Sequence, residues 1–292
     1  MDKECVKHCL KEDERAAFER DGLLVIKDAL PAPMVKDLGE IVGRLGSGDN
    51  IFAKDELFVE LLDWPRTFPK VFGVLGWNIH SYYTQIVVSP PQEESMRQTK
   101  RRRGWHQDSD RINADIEPGI QPRLSVKVGY FLTDASEGGR GNFSVIPGSH
   151  RKREIELPDD GVSDPEGATE VKVPPGTAVM FDRRLFHAPG LNRSDITRKA
   201  LFIGYSHRWI HPRDERTVSH LIERSDPIRR QLLGAKTGAM GTSSPREEDV
   251  PLRSWMLEHL GEVAVADWYA RIVGAQSVSF GRNHSDPRPS ES

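Results

Sequence analysis

Between Trp77 and Asp214 the chain is cut into short β-branched and aromatic runs, each closed by a glycine or proline turn. That pattern constrains the fold more than any other feature of the sequence. Ser81–Val88 (SYYTQIVV) and Arg123–Thr133 (RLSVKVGYFLT) are the clearest strand candidates. Asn142–Ile146, Glu170–Val173, Ala178–Phe181 and Arg198–Trp209 continue the series. Turn signals stand between them at Glu137-Gly138-Gly139, Pro147-Gly148-Ser149, Pro174-Pro175-Gly176 and Pro189-Gly190. Many short strands with punctuating turns predict a sandwich or barrel and argue against alternating β-α units. No internal repeat at a solenoid or propeller period is present.

The flanks read differently. Asp13–Arg20 has helical composition and leads into Gly22–Ile26, an apolar run typical of a buried strand. Pro31 opens a second helix, with Met34, Val35, Leu38, Ile41, Val42 and Leu45 at helical spacing, and Gly46–Asn50 ends it. Leu57–Leu75 is apolar, and its two prolines break it into shorter helices. Gly234–Val250 is small, polar and irregular, which predicts a mobile surface loop, with a lid over the site as the alternative. Helical patterning resumes in Leu252–Leu260 and Val263–Val273, and Asn283–Ser292 reads as a disordered tail. The expected organisation is one domain: a helical part over about 10–76, a β core over about 77–214, a loop and helices over about 215–280, and the tail 283–292.

Composition mainly excludes. Hydrophobic residues at 37% and charged residues at 29% describe an ordinary globular chain. A net charge of −3, with no second basic cluster carrying interleaved aromatics, argues against a nucleic-acid partner. Arg97 and Lys100-Arg101-Arg102-Arg103 form one tight basic run. It reads first as solvated surface, second as a contact to an anionic substrate, and last as a nucleic-acid patch. Two cysteines, Cys5 and Cys9, rule out a disulfide scaffold and suit a reducing compartment. With His8 they form a Cys-x-x-His-Cys grouping, which lacks the second ligand pair that a metal site needs. No apolar stretch has the length of a signal peptide or of a membrane span, so the expectation is a cytoplasmic protein without a membrane partner.

The chemistry is carried by Gly104-Trp105-His106-Gln107-Asp108. In an extended segment residues i and i+2 point to one side, so His106 and Asp108 can converge on one ion. Two histidines and one carboxylate on one face leave three open positions, as a non-haem iron(II) oxygenase requires: two for a bidentate 2-oxo acid and one for oxygen. His-x-Asp alone is a weak signal. The distal segment strengthens it, because Pro175–Asp182 reads as a turn and a buried strand just before Arg183-Arg184-Leu185-Phe186-His187. A histidine placed there can face a barrel interior. Arg198 follows eleven residues later at the start of another strand, and its planar fork suits the distal carboxylate of 2-oxoglutarate.

In order and spacing these pieces resemble the phytanoyl-CoA dioxygenase family of iron(II)/2-oxoglutarate oxygenases. The likeness is carried by the opening AAFERDGLLVIKDALP, Trp105-His106-Gln107-Asp108, Leu132-Thr133-Asp134, and Gly141–His150 (GNFSVIPGSH). His187, Asn192-Arg193-Ser194-Asp195 and Arg198 complete it, so that it runs from about Phe18 to about Asp214. The resemblance implies a mainly β fold with flanking helices, a double-stranded β-helix or cupin-like jelly roll. It implies His106, Asp108 and His187 as iron ligands, Arg198 as the anchor of 2-oxoglutarate, and Gln85 as a second contact to that co-substrate. The implied reaction couples O2 and the decarboxylation of 2-oxoglutarate to succinate with hydroxylation of an unactivated C–H bond in a small molecule. Desaturation, epimerisation and cyclisation are the alternative outcomes, and a non-catalytic metal-binding barrel is the alternative class. Related halogenases have a small residue where Asp108 stands, so its carboxylate argues against halogenation.

Lys127 interrupts an apolar strand on the side of Ser125 and Gly129; that side is either the barrel interior, near 2-oxoglutarate or an acidic substrate, or the solvent face. His150, in Pro-Gly-Ser-His, is expected to close a turn. With Arg198 facing inward, alternation places Ala200, Phe202, Gly204 and Ser206 on its side and puts His207 on the other.

Overall fold

A computed structural model describes residues 1–97, 104–108, 110–116, 119, 121–214, 218–262 and 265 of the chain. The expected tail, Lys100–Arg103 of the basic run, and all of the Val263–Val273 helix except Val265 lie outside these residues.

Among the described residues, nine strands form two antiparallel sheets. They are β1 (Leu23–Ile26), β2 (Gly48–Asp49), β3 (Ile79–Ser89), β4 (Ser125–Phe131), β5 (Phe143–Val145), β6 (Thr169–Glu170), β7 (Ala178–Asp182), β8 (His187–Pro189) and β9 (Arg198–His207). The large sheet has the order β1-β7-β4-β9-β3-β2 and the small one β6-β5-β8. Non-sequential neighbours in both sheets make this a double-stranded β-helix, the jelly roll expected from the sequence.

Alternation along the strands divides the interior into two compartments. On one face of the large sheet, Val126, Val128 and Tyr130 of β4, Met180 of β7 and Leu201, Ile203 and Tyr205 of β9 belong to the main core. Helices cover that face. Glu12–Asp21 and Ala32–Leu45 are followed by two short helices, Leu57–Glu60 and Phe68–Leu75, and Pro69 starts the second in its first turn, where a missing N–H costs nothing. Phe58, Leu61, Phe68 and Phe72 lie in this core, and the Phe68 ring sits 5.8 Å from that of Tyr205. On the other face Phe131, Val179, Phe181, Ala200 and Phe202 meet Phe143 and Val145 of the small sheet. The Phe143 and Phe181 rings are 4.9 Å apart, so the two sheets close on each other there.

β7 stops at Asp182, where the sequence ends the buried run; the chain then turns, and His187 opens its own three-residue strand in the small sheet. The Gly234–Val250 segment is a pinned loop and not a lid. Buried Asp249 accepts hydrogen bonds from the backbone N–H of Thr237 (2.7 Å) and Arg246 (3.1 Å). No residue of this loop lines the cavity described below. The helices Ser219–Arg224 and Pro227–Leu232, within the loop-and-helix part expected over about 215–280, add to the main core.

A candidate metal centre with an anion pocket

His106 and His187 are brought together by backbone pairing. Each donates its N–H to the other's carbonyl at 3.0 Å, an isolated bridge that extends the small sheet beyond β8. Asp108 N–H donates to Arg183 O (2.8 Å), and the Gln107 amide bonds to the carbonyls of Lys152 and Arg184 at 2.9 and 2.5 Å. The i and i+2 side chains are thereby held over β8. His106, Asp108 and His187 each offer a donor atom within 4.8 Å of the other two, and among the described residues this is the one such group of three or more. Cys5, His8 and Cys9 do not form one, and Cys9 bonds instead to the Cys5 carbonyl.

The imidazoles are set up for coordination in the same way. His187 Nδ1 lies 2.8 Å from Leu185 O and His106 Nδ1 2.8 Å from Gly104 O. A carbonyl can only accept, so both rings carry their proton on Nδ1 and turn the Nε2 lone pair inward. Rings of Phe143 and Phe181, 5.3 and 5.2 Å from that of His187, fix its orientation. Burial pushes the His187 pKa down to about 4, which leaves it neutral and able to bind a metal at neutral pH. Burial also pushes Asp108 up. The charge of Lys127 and the nearby histidines outweigh that effect and hold its carboxyl below the ordinary range.

Lys127 therefore faces the interior: its Nζ is 2.8 Å from Asp108 Oδ2. The contact is a close ion pair, and a carboxylate oxygen that meets one ammonium keeps a further lone pair to give. Arg198, 3% exposed, donates from its NH2 group to Ser89 Oγ (2.7 Å), while its Nε has no partner. No described carboxylate pairs with it, and burial alone lowers its pKa to about 10, so it stays charged. A desolvated cation with an orphaned donor is costly unless an anion joins it.

The triad, Lys127, Arg198 and Gln85 line one cavity of about 530 Å³. Phe143, Phe181 and Phe202 form its apolar wall. Gly129 makes room for that wall, since a Cβ there would stand 2.6 Å from the Phe202 ring. Among the lining residues that escaped the sequence reading are Tyr83 and Arg213. Tyr83 lies two residues before Gln85 on the same strand, so alternation could have found it. Arg213 follows β9 in an irregular segment, and nothing in the sequence marked it. His150 is buried in a single 3-10 turn, Ser149–Arg151, away from the triad as expected, and His207 stacks on Trp209 at 5.4 Å outside the cavity.

The profile of the phytanoyl-CoA dioxygenase (PhyH) family matches residues 70–200, which contain the triad and Arg198. The ectoine dioxygenase of Sphingopyxis alaskensis is 24% identical over 237 residues, 66% of this chain and 74% of the relative. HygX of Streptomyces hygroscopicus, solved with nickel and 2-oxoglutarate bound, covers 70% of this chain and 90% of its own at a TM-score of 0.55 and 16% identity. SnoN, a non-haem α-ketoglutarate-dependent epimerase from nogalamycin biosynthesis, covers 68% and 83% at a TM-score of 0.53 and 18% identity. These structures share its fold. No described helix is long and apolar enough to cross a membrane. In its matched segment, its relatives and its fold, the chain is similar to the phytanoyl-CoA dioxygenase family of non-haem iron 2-oxoglutarate-dependent oxygenases.

Proposed function

We propose that this chain hydroxylates an unactivated C–H bond of a small molecule, with iron(II) held by His106, Asp108 and His187 and 2-oxoglutarate held by Arg198. The observation that carries the reading is Arg198: a buried guanidinium with an unpartnered Nε and no carboxylate, in the same cavity as a three-residue ligand set. A dicarboxylate co-substrate supplies the missing anion. Iron would supply the redox chemistry, in which O2 and 2-oxoglutarate give succinate and CO2 and one oxygen atom enters the substrate.

The protein's own part is positional. Two imidazoles and one carboxylate would offer three donor atoms to an iron(II) held between them. Arg198 and Ser89 fix one end of the co-substrate through bonds that a carboxylate can share. Gln85, on the same wall, offers a further donor and acceptor. Lys127 steadies Asp108 from the side, and the phenylalanine wall gives the reacting centre an apolar flank. Two free thiols suit a cytoplasmic setting. Epimerisation is the second reading, favoured by the likeness to SnoN. Product mass separates the two: hydroxylation adds one oxygen atom, and epimerisation adds none.

The test is an anaerobic titration of the protein with iron(II) and 2-oxoglutarate, followed by visible absorption. A weak charge-transfer band that needs both, and that demands far more 2-oxoglutarate in Arg198→Ala, is expected. A wild-type protein that binds iron but shows no band with 2-oxoglutarate would sink the proposal and favour a metal-binding, non-oxygenase barrel.

A further inference from the structure

The cavity holds more positive charge than iron and 2-oxoglutarate would use. Tyr83 lines it, and two cations lie over its ring: Lys127 Nζ at 4.9 Å and Arg213 Cζ at 4.3 Å from the centroid. The Tyr83 hydroxyl donates to Asp49 (3.0 Å), which fixes the ring as a platform. Arg213 is exposed at the cavity's edge, and its backbone N–H is tied to Tyr82 O at 2.7 Å. No described carboxylate forms an ion pair with its guanidinium. Its neighbour Asp214 accepts instead from Thr84 Oγ1 (2.5 Å) and does not serve it.

We infer that Tyr83, Lys127 and Arg213 form an anion subsite, and that the substrate of this enzyme carries a carboxylate or phosphate group that docks on Arg213. The inference rests on the proposed function, because it counts charges in the loaded cavity. There Arg198 answers the distal carboxylate of 2-oxoglutarate. Iron(II), Asp108 and dianionic 2-oxoglutarate, set against Arg198 and Lys127, leave one positive charge before Arg213 is counted. With Arg213 the excess is two. Like charges gathered over one aromatic ring repel each other in a partly desolvated site, and an anion at the edge relieves that repulsion. A guanidinium stacked on a tyrosine is also pre-ordered, so it loses less freedom when it forms paired hydrogen bonds to a carboxylate or phosphate. The apolar wall of Phe143, Phe181 and Phe202 then suits a substrate whose body is hydrocarbon and whose end is charged.

The experiment uses the protein loaded with manganese(II), which binds without turnover, and calorimetric titration in two stages. The first adds 2-oxoglutarate to wild type and Arg213→Ala, and equal binding is expected. The second adds octanoate or phenyl phosphate beside their uncharged partners octanamide and phenol. Wild type should bind at least one of the charged probes about tenfold more tightly than its partner. Arg213→Ala should lose that preference, and Arg213→Lys should keep most of it. Neither probe binding, or equal binding by wild type and Arg213→Ala, overturns the subsite while leaving the 2-oxoglutarate reading intact. If 2-oxoglutarate itself fails to bind, that reading falls. The same probes are then titrated into metal-free protein, where loss of binding in Arg213→Ala but not in Arg198→Ala upholds an Arg213 anion site and the reverse pattern overturns it.

Discussion

Two buried carboxylates lie on neighbouring backbones and differ in what surrounds them. Asp182, at the end of β7, is fully buried, and both of its oxygens are bonded. Arg123 Nε reaches Oδ2 at 2.7 Å, while Arg184 reaches Oδ1 from its N–H (3.0 Å) and its Nε (2.8 Å) and Oδ2 from its NH2 group (2.6 Å). Arg123 then grips Glu19 with two parallel bonds of 2.8 Å. Asp108 is joined to the next residue's backbone by its bond to Arg183 O, yet its carboxylate meets a single cation, Lys127 at Oδ2. The Asp182 cluster closes on itself and ties the helix Glu12–Asp21 to the large sheet. The Asp108 cluster, with Arg198 across the cavity, leaves atoms open. A charge network without loose ends belongs to the fold, whereas one with loose ends is built for a ligand.

The largest expected effect breaks the closed cluster. Asp182→Asn keeps the shape but leaves Arg123 and Arg184 without their buried anion, and should cost about 3–5 kcal/mol of stability. Denaturant melts of the metal-free protein measure it. A loss under about 1 kcal/mol would mean that the cluster is not structural.

The next effect breaks the open cluster and reverses the pattern. His187→Ala removes one of three ligands and should weaken manganese(II) binding by more than about 100-fold, which exceeds the usual effect of losing an outer-shell partner. The unfolding midpoint of the metal-free variant should stay near wild type, because its ring borders the cavity. Unchanged metal affinity in a folded variant would remove His187 from the proposed ligand set.

Arg198→Ala sharpens the comparison further. A buried arginine without a carboxylate adds little to the metal-free fold, so the variant should lose no more than about 1 kcal/mol of stability. What disappears is the response to ligand. In wild type loaded with manganese(II), 2-oxoglutarate at 100 times its Kd should add about 2.7 kcal/mol of stability, and the variant should gain almost none at that concentration. An equal gain in both proteins would place the co-substrate elsewhere.

The contrast also explains what could be read from the sequence. His106 and Asp108 were legible because an extended strand brings i and i+2 to one side, and Arg198 because it begins a strand that alternates cleanly. The same alternation paired Lys127 with Ser125 and Gly129. A period of two names the sides of a sheet without saying which is inside, so the orientation of Lys127 had to come from the packing. β8 was missed because its three residues end at Pro189, too few for any periodicity. The Asp182 cluster left no trace in the sequence. Arg123 is 59 residues away from Asp182 and 104 from Glu19, and such partners meet only through the crossovers of the jelly roll. Arg213 was hidden for a related reason, since it sits past the last strand, where no repeat fixes a direction.

The smallest expected effect is the acid response of the closed cluster. Burial alone would push the Asp182 pKa up, but the bonds and charges of Arg184 and Arg123 hold it below its ordinary value of 3.8. A group whose pKa is lower in the folded state lets the unfolded chain bind its proton first as pH falls. Its contribution is therefore complete above 3.8 and is lost as pH drops through that value toward the lower folded one. Acid is felt by every paired carboxylate, so the informative quantity is the stability gap between wild type and Asp182→Asn. That gap should be flat from pH 7 to about 5 and should narrow below pH 4 in denaturant melts of the metal-free proteins. A gap that stays constant down to pH 3 would mean that Asp182 holds its arginines by shape and neutral hydrogen bonds alone. The closed cluster would then owe its strength to packing, and its contrast with Asp108 would be one of geometry more than of charge.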